Sequence, residues 1–181
     1  MLKRVVTLLL VWCASSLALA SSQAPLRVVV LPKLVVDGKP QDESGLAVAA
    51  ERQYAQAGMR VVELAASLAA QRAALSDEMY ASKVPSELNV LSADAYVALR
   101  LSCELTSEGV LGTKIVAYGC ALDARVIRVD SGDVVDSHAS TFTVHGKTPH
   151  LAVRLALERK APEQLSTRLS TWQGKFEQRT D

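Results

Sequence analysis

The chain has 181 residues, 49% of them apolar, and sets 20 Lys and Arg against 19 Asp and Glu for a net charge of +1. So even a balance gives no electrostatic footing for nucleic acid or an anionic membrane surface. The apolar share is ample for a packed core, and the length suits one domain.

The first twenty residues read as a secretory signal. Lys3 and Arg4 precede an apolar run from Val5 to Ala14, and small residues lead to Ala18-Leu19-Ala20. This pattern predicts cleavage after Ala20. The run is short for a membrane span, which needs about 20 residues. Val11-Trp12 before Cys13 do not fit a lipid-attachment site. Cleavage leaves 161 residues with a net charge of −1 and removes Cys13. The expected location is therefore the periplasm, with no span in the mature chain.

Residues 21–25 form a leader, residues 26–173 a single domain, and residues 174–181 a polar tail. Arg27 to Leu31 (RVVVL) is a continuous apolar run that predicts a strand buried on both faces, ended by Pro32. Residues 33–44 read as a loop, and Lys33, Asp37 and Lys39 make it a candidate ligand loop. Ser44 is placed as the cap of a helix running to Gln56, with Leu46, Ala50 and Tyr54 at helical spacing and Gly58 as the stop. Arg60 to Leu64 (RVVEL) predicts a second strand, parallel to the first across that helix. An alanine-rich stretch from Ala65 to Ser82 predicts a second helix.

Residues 94–145 predict an antiparallel meander of three strands. Odd positions from Ala95 to Leu105 are apolar, and the run from Val116 to Val126 repeats the alternation. A hairpin between them sets Cys103 opposite Cys120, Leu101 opposite Leu122, Leu105 opposite Tyr118 and Arg100 opposite Asp123. Two cysteines directly opposed in an exported chain predict a disulfide. The spacing is not that of a Cys-x-x-Cys redox motif. Asp130-Ser131-Gly132-Asp133 predicts the second turn. The parity of the apolar residues changes at Val126-Ile127, which predicts a β-bulge. After Pro149 a long helical segment follows, with Pro162 giving a kink or dividing it into two helices, and with Leu165, Leu169 and Trp172 on its apolar face.

These elements give a single mixed α/β (α+β) sheet in the order β-α-β-α-β-β-β-α, with helices packed on it. RVVVLPK, QAGMRVVE, LSADAYVALRLSCE, ARVIRVDSGDVVDS and GKTPHLAVRLALERKAPEQLSTRL together resemble the small α/β domain of bacterial envelope proteins. That domain is the amino-terminal domain of TolB and the middle domain of flagellar assembly protein T. It also occurs in the lipoprotein activators of penicillin-binding proteins and in the curli secretion lipoprotein. The resemblance implies protein–protein contact inside an envelope machine and carries no catalytic residues to this chain.

No sequence pattern here points to an enzyme. His138 and His145 have opposite parity on one strand, and His150 lacks a neighbouring carboxylate or thiol, so no metal set forms. No Gly-x-Ser-x-Gly elbow or phosphate-cradling glycine loop occurs. Asp130, Asp133 and Asp136 do not have calcium-loop spacing. No cofactor is implied. Trp172 and Phe176 are candidate partner anchors. The function expected is a non-catalytic interaction or scaffold module of a flagellar, Tol-Pal or cell-wall assembly. A periplasmic small-molecule binder using residues 33–44 is the alternative, and an unrecognised enzyme comes third.

Overall fold

Two strands far apart in the chain form the centre of the sheet. β1 (Arg27–Val36) lies parallel to β4 (Ala95–Glu108), with Val28 beside Ala95 and Val36 beside Cys103. The computed structural model describes residues 24–81, 84–88, 91–109 and 112–177. The signal-peptide expectation for residues 1–20 lies outside them. β5 (Val116–Arg128) and β6 (Val134–Gly146) complete the meander. The other edge of β1 is divided between two short strands. β3 (Arg60–Val61) pairs in parallel with Arg27 and Val28, and β2 (Lys39–Gln41) pairs antiparallel with Leu34 to Val36. The sheet is mixed and six-stranded, as expected for the class, in the order β2-β1-β4-β5-β6 with β3 beside β1.

The meander follows the sequence register. Cys103 faces Cys120, Leu101 faces Leu122 and Arg100 faces Asp123. The bulge expected at Val126-Ile127 is present between β5 and β6. A second irregularity, between Leu105 and Ser107, lets β4 run on to Glu108.

Pro32 does not end the first strand. The Val28 carbonyl accepts from Val62 on the β3 side, while the Asp37 amide donates to the Cys103 carbonyl on the β4 side. Even residues of β1 therefore turn their backbone groups away from β4. Pro32 is even and falls between the stretches paired with β3 and β2, so its missing N–H leaves no ladder bond unmade. The stretch expected as a loop is consequently mostly β-hairpin, turning at Asp37 and Gly38, both at positive φ. The second predicted strand shrinks to two residues. Val62 makes one more bond to β1, and the chain then leaves to place Val62 and Leu64 against the packed side chains beneath the sheet.

Two apolar layers form because β1 and β4 are buried on both faces. One layer packs Val28, Val30, Val97, Leu99, Leu101 and Leu122 under α1 (Ser44–Gln56) and α5 (Ala161–Glu177). Leu46, Ala50 and Tyr54 of α1 meet Leu165, Leu169 and Trp172 of α5 there. The other layer packs Val29, Leu31, Tyr96, Ala98 and Ile127 against Leu75 and Met79 of α3 (Arg72–Tyr80). The predicted Ala65–Ser82 helix is broken into α2 (Ala66–Ala69) and α3, and no glycine or proline marks the break.

Ser44 is the first helical residue of α1 and not its cap. Its amide and hydroxyl both bond the Asp42 carboxylate, at 3.1 and 2.7 Å. Gly58 stops the helix at φ +83°, a value that favours glycine. The C-terminal helix starts at α4 (Pro149–Leu155), where the Thr148 hydroxyl accepts from the Leu151 amide. It then passes through a π-helical turn (Ala156–Lys160) into α5. Pro162 crowds the carbonyl four residues earlier, that of Glu158, and the wider π turn holds that residue. The kink expected at Pro162 is thus absorbed as one π turn.

Gly146, which ends β6, sits so close to the following helix that a Cβ would lie 2.5 Å from the Ala152 amide nitrogen. α5 continues through Gly174 to Glu177, past the point where a polar tail was expected. Lys175 there pairs with Asp136, and Phe176 lies against Trp172. Among the described residues no helix is long and apolar enough to cross a membrane.

Candidate interaction surface

A groove of about 670 Å³ lies between α1 and the C-terminal helix, beside the π turn. Gly45, Val48 and Arg52 lie on the α1 wall, and Arg154, Leu157 and Pro162 on the other. A Cβ at Gly45 would make only an ordinary contact with the opposite wall, 3.6 Å from Leu157 Cδ1. Val48 is 55% exposed, unusual for a valine on a helix that otherwise turns its apolar residues inward. At the rim Arg154 Nε donates to Glu158 Oε1 at 2.7 Å. Arg52 is exposed on the same rim. The floor is apolar and the edge carries guanidinium groups. This arrangement suits an apolar side chain flanked by a carboxylate.

The residues singled out from sequence fall elsewhere. Cys103 and Cys120 are joined by a disulfide and are 1% and 3% exposed. Lys33 points to the α3 side and pairs with Asp77. Asp37 sits in the hairpin turn, where its carboxylate accepts from the Leu105 amide at 2.9 Å and the Tyr118 hydroxyl at 3.1 Å. Lys39 is exposed on β2. The three residues of the candidate ligand loop therefore do not converge. Trp172 is 2% exposed and packs edge-on against Tyr54 and Phe176, so its indole closes the core and is not available as a surface anchor. Phe176 is half-buried, with the Arg128 guanidinium 4.5 Å from its ring centre.

Arg100 and Asp123 are opposite in register, but the guanidinium takes another partner. Arg100 donates to Asp77 at 2.6 Å and lies 4.8 Å from the Tyr80 ring centre. The Tyr80 hydroxyl donates to the Asp123 carbonyl at 2.7 Å. Asp77 is the hub that sequence reasoning missed, because it belongs to no apolar stripe or motif. Arg72 of α3 pairs with Glu51 of α1 at 3.3 Å. His145 and His150 are exposed, while His138 Nε2 is buried without a partner among the described residues. Among those residues no group of three or more His, Cys, Asp or Glu is placed to hold a metal ion.

Asp77 and Asp94 are among the carboxyls held below their ordinary range. Burial opposes ionisation of Asp77, but hydrogen bonds from Lys33 and Arg100 outweigh it. Asp94 is lowered chiefly by its hydrogen bond from Arg27, whose Nη2 donates to it at 2.8 Å. Both groups ionise more readily folded than unfolded. The stability they contribute is complete above the unfolded value of about 3.9 and is lost as pH falls through the lower folded value. The urea midpoint is expected to hold between neutrality and about pH 5 and to fall below about pH 4. The Asp77→Asn variant should start less stable and decline less steeply. An equally steep decline would remove Asp77 from the acid response.

No protein-family model and no curated protein sequence matches the chain. Similar solved structures exist. The hypothetical protein CT253 from Chlamydia trachomatis has a TM-score of 0.50 at 13% identity, over 81% of this chain and 98% of that one. What they share is the fold. Lipoprotein GNA1162 from Neisseria meningitidis has a TM-score of 0.41 at 13% identity, over 79% of this chain and 99% of that one. The LpoB C-terminal domain from Salmonella enterica has a TM-score of 0.41 at 16% identity, over 71% of this chain and 90% of that one.

Proposed function

We propose that the chain is a non-catalytic, periplasmic protein–protein interaction or scaffold module of a bacterial cell-envelope assembly. The observation that carries this reading is where the charged side chains go. Asp77 ties Lys33 and Arg100, and Asp37 ties β4 to β5. Asp94 holds Arg27, and Arg125 donates to the last carbonyls of α3, Met79 and Tyr80. These groups, which could have served as acids, bases or ligands, brace the sheet and its helices. Among the described residues an apolar groove with arginines on its rim stands open, the form of a surface that receives a polypeptide segment. The export signal and the resemblance read from the sequence support a partner in the envelope. A fold shared at low identity says nothing of which system it serves.

The segment the groove would take is an apolar residue next to an acidic one, the first on Val48 and Leu157 and the second on Arg52. Crosslinking of the tagged protein in cells at native level, followed by mass spectrometry, tests the reading. One envelope protein should be captured repeatedly, and Val48→Glu should reduce that capture at least tenfold with thermal stability unchanged. Capture of nothing above background, or capture indifferent to Val48→Glu, would defeat it.

A further inference from the structure

The two edges of the sheet are built differently. β2 is three residues long and carries Lys39 and Pro40, both of which discourage further strand pairing. β6 is thirteen residues long and closes the opposite edge, with no strand beyond it among the described residues. From Ser137 to His145 it contains no proline and no lysine.

The backbone parity of β6 follows from the cysteines. The Cα atoms of Cys103 and Cys120 are 4.1 Å apart, the close spacing of an antiparallel pair that exchanges no backbone hydrogen bonds. Cys103 indeed turns its carbonyl to the other side, where it accepts from Asp37. Cys120 therefore turns its backbone groups away from β4 and toward β6, where its partner is Phe142. Even residues from Asp136 to Gly146 use their N–H and C=O groups on β5. Odd residues, namely Ser137, Ala139, Thr141, Thr143 and His145, point theirs out of the sheet. All five are exposed.

We infer that this edge pairs antiparallel with β6 of a second copy of the chain, about a two-fold axis at Thr141. That register sets every outward residue against another outward residue, with Ala139 opposite Thr143 and Ser137 opposite His145. It forms about ten backbone hydrogen bonds. The facing side chains are small or hydroxyl-bearing, and Thr141 meets its own copy, a favourable cross-strand pair. Charge selects this partner and direction. β6 is preceded by the acidic tip of Asp130 and Asp133 and is followed by Lys147 and His150. Antiparallel self-pairing brings the acidic end of each copy to the basic end of the other, whereas parallel pairing would set like ends together. The inference does not rest on the function proposed above, since the groove lies on the helical face and β6 self-pairing leaves it open.

Cysteine substitution in the purified full chain tests it. Hydrogen-bonded antiparallel partners have Cα atoms roughly 5.5 Å apart, within disulfide reach. Thr141→Cys should form a covalent dimer on mild oxidation. Thr143→Cys should not, because two copies of residue 143 lie four positions out of register. Sedimentation equilibrium of the unsubstituted chain should show a monomer–dimer equilibrium. Thr141→Pro, which removes an outward N–H, should leave the monomer with an unchanged far-ultraviolet spectrum. A monomer at every concentration would assign the edge to a strand of some other polypeptide and overturn self-pairing, as would equal crosslinking through residues 141 and 143.

Discussion

Opening the Cys103–Cys120 bond is expected to cost about 3 kcal/mol, the chain-entropy value for closing a loop of this size. The cysteines are 17 residues apart and pin the middle of the β4–β5 hairpin. At this chain length the loss corresponds to a fall in Tm of roughly 6–12 °C. Urea unfolding of the Cys103→Ser, Cys120→Ser double variant against the oxidised parent measures it. The midpoint should drop, with a steeper dependence on urea because the unlinked unfolded chain exposes more surface. Alkylation of the mature chain without reductant should label no cysteine. Two labelled thiols would show that the bond does not form in the cell.

Trp172→Ala should cost about 3–5 kcal/mol, the range for truncating a buried large aromatic. The indole is 5.8 Å from the Tyr54 ring centre and 5.7 Å from that of Phe176, edge-on to both. It joins α1 to the last turns of α5, and neither helix backbone can close in to fill the volume it leaves. Tyr54 beside it is fully buried, and burial raises its hydroxyl well above the ordinary range. Chemical denaturation gives the number directly. A cost below about 1 kcal/mol would show the site collapsing around the smaller residue.

Periodicity made the meander legible, and parity made its register legible. Alternation in Ala95–Leu105 and Val116–Val126 can satisfy one buried face in only one way, and a slip of one residue would expose all of it. The same alternation placed the bulge at Val126-Ile127. What it could not carry was the direction of long side chains. Arg100 sits opposite Asp123 yet reaches Asp77, because the Tyr80 ring and the Asp77 carboxylate approach from a helix whose position depends on tertiary packing. Pro32 misled for a related reason. A proline ends a strand only where its missing donor is needed, and whether it is needed depends on β2 and β3, which are short and lie elsewhere in the chain. Lys33, Asp37 and Lys39 were grouped because a loop was expected there, and the hairpin that replaces the loop sends them apart. The α1 groove is illegible because its walls, Gly45 and Val48 on one side and Leu157 and Pro162 on the other, lie far apart in the chain, and the apolar pattern does not say which helices meet.

The pairing of β1 with β4 also shapes how the chain must acquire its structure. Arg27 bonds Asp94, which lies 67 positions further along the chain. Any process that delivers the polypeptide from its amino terminus, whether synthesis or threading through a translocation pore, presents Val28-Val29-Val30-Leu31 long before β4 exists to receive it. Four consecutive β-branched or branched aliphatic residues, apolar toward both faces, form a segment prone to pair with whatever strand it meets. The meander closes through short-range contacts once residues 95–146 are free, and only then does β1 have its slot. Until that moment the first strand needs shielding, and a holding chaperone that recognises extended apolar segments would find its target in the first residues of the fold.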